Sequence, residues 1–133
     1  MVTTIKKSIE KQFNSLNWKE ISQTEKLSES FIRRFEDKVF WKEISQYQEL
    51  SESFIEKFEK HVYWEVISRY QKLSESFIEK FEHNVDWKAV SQYQKLSEIF
   101  IRRFEDRGVY WKAITQYQEL SENFIEEFKN KIN

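Results

Sequence analysis

Cysteine and proline are absent from this sequence, and glycine occurs once, at Gly108. Without cysteine the chain has no disulfide, no thiolate nucleophile and no Cys-bound zinc. β-Sandwiches and β-barrels depend on tight turns that use glycine, proline, asparagine and aspartate. A chain so poor in glycine and proline is therefore not expected to be an all-β protein. No apolar run approaches the roughly 20 residues of a membrane-spanning helix.

The charge is nearly balanced, with 22 Lys and Arg against 23 Asp and Glu in 133 residues and a formal net charge of −1. This balance gives no general attraction to nucleic acid or to an anionic membrane. The first ten residues carry mixed charges and no apolar stretch. The sequence therefore predicts no secretory signal and a soluble, cytoplasmic protein.

A repeat of 23 residues runs through the chain, marked by tryptophans spaced 23, 23, 23 and 24 residues apart. The extra residue in the fourth interval is Gly108. Counting from each Trp as position 0, an aliphatic residue recurs at +3, Leu at +9, Ser at +10, Phe at +13 and +17, and Ile at +14. The repeat predicts a single domain made of a half copy at 4–17 and full copies at 18–40, 41–63, 64–86, 87–110 and 111–133.

Each copy predicts two short helices, the first over about 0 to +7 and the second over about +11 to +20. The apolar positions +13, +14, +17 and +21 lie on one face of the second helix, and Ser at +10 is its expected N-cap. Gln at +7 points inward, where we expect it to satisfy backbone groups of the loops between copies. Helices this short are marginal alone in water. We therefore expect an all-α fold, an αα-repeat solenoid of about five and a half two-helix copies.

The repeat resembles a loosely defined class of short helical repeats with the pattern W-x-x-I-S-x-x-x-x-L-S-E-x-F-I-x-x-F. Such repeats recur in uncharacterised proteins of large DNA viruses, phages and some microbes. The match is carried by WKEISQYQELSESFIEKF, residues 41–58, and extends over 18–133. The resemblance implies an αα-repeat fold, points toward a viral source and brings no activity with it.

Candidate catalytic and metal-binding residues are few. His61 and His83 occupy different positions of adjacent copies, and no carboxylate or His recurs beside them to complete a metal site. The recurring Ser at +10 is explained as a helix cap, and one glycine cannot build a phosphate-binding loop. The sequence therefore predicts a protein that is not an enzyme and that uses no metal and no cofactor.

Two arginine pairs, Arg33/Arg34 and Arg102/Arg103, are each followed by an acidic pair. Local ion pairing three residues apart on a helix is their expected use. Nucleic-acid binding through these pairs stays an alternative, which the absence of a continuous basic stripe disfavours.

The outward and edge positions of the first helices predict a binding surface. Position +6 is Thr24 in the first copy and Tyr in the other four, while +2 changes from Glu in the first two copies to Val or Ala. Exposed Tyr and aliphatic residues in a row are typical of a protein-binding patch. Padding of the seam between copies explains the Tyr row equally well. The expected partner-binding residues are Val66, Tyr70, Ala89, Tyr93, Ala113 and Tyr117.

These observations favour a non-catalytic protein-binding repeat scaffold whose partner is another protein. If the source is viral, the scaffold would act in the host cytoplasm by engaging or inhibiting a host factor. The first alternative is a self-assembling structural repeat, a homo-oligomer, because the last copy ends at Asn133 without a further capping helix. The second alternative is nucleic-acid binding through the Arg pairs, and no membrane partner is expected.

Overall fold

The computed structural model describes residues 12–13 and 15–132, and every regular element in these ranges is a helix. The helices are α1 (Trp18–Thr24), α2 (Glu29–Arg34), α3 (Trp41–Tyr47), α4 (Glu52–Lys57), α5 (Trp64–Tyr70), α6 (Glu75–Lys80), α7 (Trp87–Tyr93), α8 (Glu98–Arg103), α9 (Trp111–Tyr117), α10 (Glu122–Glu127) and α11 (Lys129–Ile132). This arrangement confirms the predicted αα-repeat solenoid. The predicted half copy at 4–17 lies mostly outside the described residues.

The first helix of each copy begins at its Trp and ends at +6, close to the predicted bounds. Asn17 and Asp86 cap α1 and α7 with their side chains. Tyr63, before α5, has no such capping bond, but its own N–H donates to the Ser45 hydroxyl of the preceding copy at 3.1 Å. The same bond recurs at each junction between full copies, so each first helix starts at a fixed point on its neighbour.

The second helix is shorter than predicted, since it begins at +11 and ends at +16 rather than near +20. The Ser cap at its start is confirmed: in all five copies the hydroxyl accepts from the N–H at +13, at 3.1 or 3.2 Å. In the turn that follows, the Glu59 carbonyl accepts from the Trp64 indole N–H of the next copy at 2.9 Å. Val62 nevertheless turns into the core. The apolar pattern is therefore the same for a long helix and for a short helix followed by a turn.

The core is continuous along the array and combines aromatic contacts within copies with aliphatic contacts between them. In the third copy the Trp64 ring lies 6.1 Å from the Phe77 ring and 5.2 Å from the Phe81 ring, centroid to centroid. Ile67 and Ile78, at +3 and +14, are fully buried. Adjacent first helices pack side by side along the array. The first helices thus form one layer, joined by close contact, and the second helices form the other.

The seams between first helices carry a buried amide. Gln71 donates from Nε2 to the carbonyls of Ser45 and Gln48, at 2.9 and 2.7 Å. Its Oε1 accepts from the Leu50 N–H at 3.2 Å. The same three bonds recur at +7 in the second, fourth and fifth copies. The prediction that Gln at +7 satisfies backbone groups between copies is confirmed.

Gly108 explains the 24-residue interval. A Cβ atom at this position would lie 2.4 Å from the Trp87 ring, so only glycine lets the chain cross the indole here. Val109, one residue later, is buried and fills the core position that Val at +21 fills in earlier copies. The core position is therefore still filled by a valine after the insertion, and the repeat continues in the next copy.

Candidate binding surface on the first helices

The tyrosines at +6 form an exposed row at the C-terminal ends of the first helices. Tyr47, Tyr70, Tyr93 and Tyr117 are 49, 47, 45 and 56% exposed. Within the described part of the chain, no hydrogen bond engages their hydroxyl groups. About half of each side chain is therefore available to a partner, and the phenol groups are free to donate and accept. Interpretation of the row as mere seam padding accounts only for the buried half.

The predicted outward-facing apolar strip at +2 is wrong. Val66 and Ala89 are each 9% exposed and lie in the seam between first helices. Ala113, in the last copy, is only partly buried, which places +2 on the side of the following copy. Because adjacent first helices are in contact, +2 forms the floor of a groove instead of its rim.

A groove of about 410 Å³ lies between α5 and α7. Val66 and Ala89 form its floor, and Tyr70 and Tyr93 stand beside it. Four of the six predicted residues are thus brought together, while Ala113 and Tyr117 do not line this groove. The rest of the lining is charged or polar: Lys42, Gln46, Glu65, Arg69, Asp86, Lys88 and Gln92.

Arg69 is a residue of this groove that the sequence analysis missed. Its guanidinium carbon lies 5.0 Å from the Tyr70 ring centroid and 4.8 Å from the Tyr93 ring centroid, so the guanidinium contacts two adjacent side chains of the Tyr row. The other four copies have Gln at this position, +5, and only the third copy has Arg. That single departure from the repeat is the signal that could have identified it.

A second row of exposed aromatic residues was also missed. The residues just before three of the tryptophans, Phe40, Tyr63 and Tyr110, are 47, 45 and 52% exposed. Each is the N-cap residue of its first helix and makes no side-chain capping bond. The first-helix layer therefore exposes aromatic groups at both ends of its helices.

The second-helix layer differs in its charges, because several of its ions are paired across copies. Arg103 binds Glu79 and Arg107 binds Glu82, each at 2.7 Å. Arg102 holds Glu127 of the next copy through two hydrogen bonds, which lower the pKa of the Glu127 carboxyl. The predicted local pairing of Arg102 and Arg103 is therefore wrong. The short helices leave the following acidic pair in a turn, while side chains of neighbouring copies lie alongside.

The histidines form no second candidate site within the described residues. His61 is exposed and lies against the Trp41 ring, with centroids 5.1 Å apart. In residues 12–13 and 15–132 no cluster of His, Asp or Glu is arranged to hold a metal ion.

No helix described is long and apolar enough to cross a membrane. No protein family, curated protein or solved structure matches this chain.

Proposed function

We propose that this chain is a non-catalytic protein-binding repeat scaffold and that it binds through the first-helix layer. The observation that carries the proposal is the half-exposed Tyr row beside cations that take part in no ion pair. Among the residues described, all the ion pairs lie on second helices, the turns after them or α11, and none involves Lys42, Arg69 or Lys88. Tyrosine is common at binding hot spots because it brings a large contact area with little rotamer entropy to lose.

The test is the double change Tyr70→Ala and Tyr93→Ala in an affinity capture with the 133-residue chain as bait. Both side chains are half exposed, so the helical circular dichroism signal should stay nearly intact while capture of the partner falls by at least about tenfold. Ile99→Ala is the matched control, because Ile99 is 74% exposed on the second-helix layer. If the double variant unfolds, the Tyr row is seam packing; if it captures the same protein fully, the binding surface lies elsewhere.

Self-assembly is the second candidate, and the outer face of the last copy supports it. Ile125 is 43% exposed, whereas Ile at +14 in the four earlier copies is fully buried by the copy that follows. Against head-to-tail stacking stands Glu25, which occupies +7 of the first copy and cannot donate to two carbonyls as the seam Gln residues do. Light scattering over a range of concentrations tests this candidate, since a dimer that Ile125→Asp abolishes would support it.

The remaining alternatives have less support. Nucleic-acid binding would need the second arginine pair, but Arg102 and Arg103 are both held by carboxylates of neighbouring copies. Inhibition of a host factor in a host cytoplasm rests on the resemblance to viral repeats alone. A salt-dependent nucleic-acid shift assay separates the first of these from protein binding.

A further inference from the structure

The groove between α5 and α7 contains a guanidinium that is held in place but not neutralised. Arg69 is flanked by the rings of Tyr70 and Tyr93, 5.0 and 4.8 Å from its central carbon. Within the described ranges no carboxylate lies within ion-pair distance of it, and no hydrogen bond engages its side chain. The other arginines of the later copies, by contrast, are paired.

This arrangement prepares Arg69 for an anion. Aromatic rings attract a guanidinium through its flat faces, while its five N–H donors point outward in its own plane. Contact with two rings fixes the long side chain before binding, so less rotamer entropy is lost when a ligand arrives. In-plane donors in a fork match the two oxygens of a carboxylate.

The two acidic residues of the groove leave this site open. Asp86 is engaged as the cap of α7, where its carboxylate accepts from the Lys88 N–H at 3.1 Å. Glu65 lies in the first turn of α5, one helical turn before Arg69, and forms no ion pair within the described residues. Lys42 and Lys88 add two further cations to the lining. The groove is thus lined by three cations and two carboxylates, so its lining carries a net positive charge.

We propose that the Arg69 groove, formed by Arg69, Tyr70, Tyr93, Val66 and Ala89, binds an extended peptide segment with one acidic side chain between uncharged residues. The peptide carboxylate pairs with the Arg69 guanidinium, and its uncharged neighbours lie over the apolar floor. This inference rests on the proposed protein-binding function and names the chemistry of the partner. It also gives a reason for the single replacement of Gln by Arg at +5.

A polyanion fits the groove less well than an isolated carboxylate. Nucleic-acid binding uses a series of phosphate contacts along the chain. Glu65 and Asp86 line the groove and Glu43 lies one copy earlier, so a chain of phosphates would meet these carboxylates as well as Arg69. A peptide with one acidic residue avoids these carboxylates.

The experiment is a selection of random 12-residue peptides displayed on phage, carried out on the immobilised 133-residue protein. Selected peptides should share one Asp or Glu between uncharged residues. As synthetic peptides they should lose at least about tenfold in affinity when that residue is changed to its amide, or when Arg69→Gln is introduced, because a charge-assisted hydrogen bond is lost. Arg69→Gln is a mild change, since it restores the residue of the other four copies. Arg69→Lys should give an intermediate loss.

Arg33→Gln is the control, because Arg33 is exposed on α2 and lies two copies before the groove. The Arg33→Gln variant should bind the selected peptides with the same affinity as the unchanged protein. Peptides that bind the Arg69→Gln variant fully but not the Tyr70→Ala, Tyr93→Ala variant would overturn the carboxylate inference and leave the proposed function intact. Peptides that bind both variants fully would contradict both. The inference would also be overturned if no peptide were selected, or if the selected peptides had no acidic residue. It would be overturned too if a 12-nucleotide oligouridine bound more tightly than the peptides and lost affinity in the Arg69→Gln variant.

Discussion

Single side chains at +4 and +7 decide how one copy is positioned on the next. The Ser68 hydroxyl donates to its own helix, at the Trp64 carbonyl, and accepts from the Asp86 N–H of the following copy, at 2.7 and 2.9 Å. Gln71 meets three backbone groups of the preceding copy. Both side chains are buried, so their directional bonds fix the register of the seam where apolar contacts alone would allow sliding.

Gln71→Ala should lower the free energy of unfolding by about 3 kcal/mol or more. The change leaves two carbonyls and one N–H in the seam without their partner, and each buried polar group left unsatisfied costs about 1–3 kcal/mol. Urea denaturation followed by circular dichroism measures the loss. Gln116→Ala is the control, because Gln116 is exposed at +5 and should stay within about 0.5 kcal/mol of the unchanged protein. Equal effects of the two changes would mean that the amide does not hold the seam.

At the scale of the element, the second helices are stabilised mainly by contacts with neighbouring copies. Each has six residues, too few to be stable alone in water. The Ser74 hydroxyl accepts from the Phe77 N–H and donates to the Glu52 carboxylate of the preceding copy, at 3.2 and 2.9 Å. The Ser74 N–H donates to the other Glu52 oxygen at 2.6 Å. The helix cap of one copy is therefore also the anchor for the Glu at +11 of the copy before it.

Glu52→Gln should destabilise the protein by roughly 1 kcal/mol more than Glu122→Gln, since hydrogen bonds to a charged group are stronger than neutral ones and exposure reduces the gain. Glu122 occupies the same helix position, so the two changes share any effect on the helix dipole. Of these two residues, Glu52 accepts from a Ser of the following copy and Glu122 does not within the described chain. Paired urea melts of the two variants give the difference, and a difference of zero would assign Glu at +11 to the dipole alone.

The sequence predicted the elements better than their contacts. The spacing of Trp, Leu, Phe and Ile was enough for two helices per copy, for the Ser cap and for an inward Gln at +7. The end of the second helix at +16 could not be predicted, because the apolar pattern continues through the following turn to +21. The direction of +2 depends on how closely neighbouring first helices approach, which one helical wheel does not contain.

The candidate site was predicted in part for the same reason. The exposed Tyr row follows from a position within one helix, and the structure has it where the sequence placed it. The contact of Arg69 with Tyr93 joins two copies, so no periodicity within a copy points to it. What the sequence did offer was a break in the pattern, a single Arg in a column of Gln.

At the scale of the whole molecule, Ile at +14 is more exposed in the last copy than in the earlier ones, while the phenylalanines of the last copy stay buried. Phe77 and Phe128 are 5 and 7% exposed, although Phe128 lies in the last full copy. Ile78 and Ile125, both at +14, are 0 and 43% exposed. Position +14 is therefore the place where a linear array and a closed globular core can be told apart.

Ile78→Ala should cost about 2–5 kcal/mol of unfolding free energy, the usual range for a fully buried aliphatic side chain. Ile125→Ala should cost less than about 1 kcal/mol, because a partly exposed side chain loses few contacts and leaves no closed cavity. Phe77→Ala and Phe128→Ala serve as controls, and their losses should be similar, since both rings are almost fully buried. Urea melts of the four variants, monitored by tryptophan fluorescence and circular dichroism, give these values. Equal losses for Ile78 and Ile125 would mean that the last copy is covered in solution, as self-association through its outer face would require.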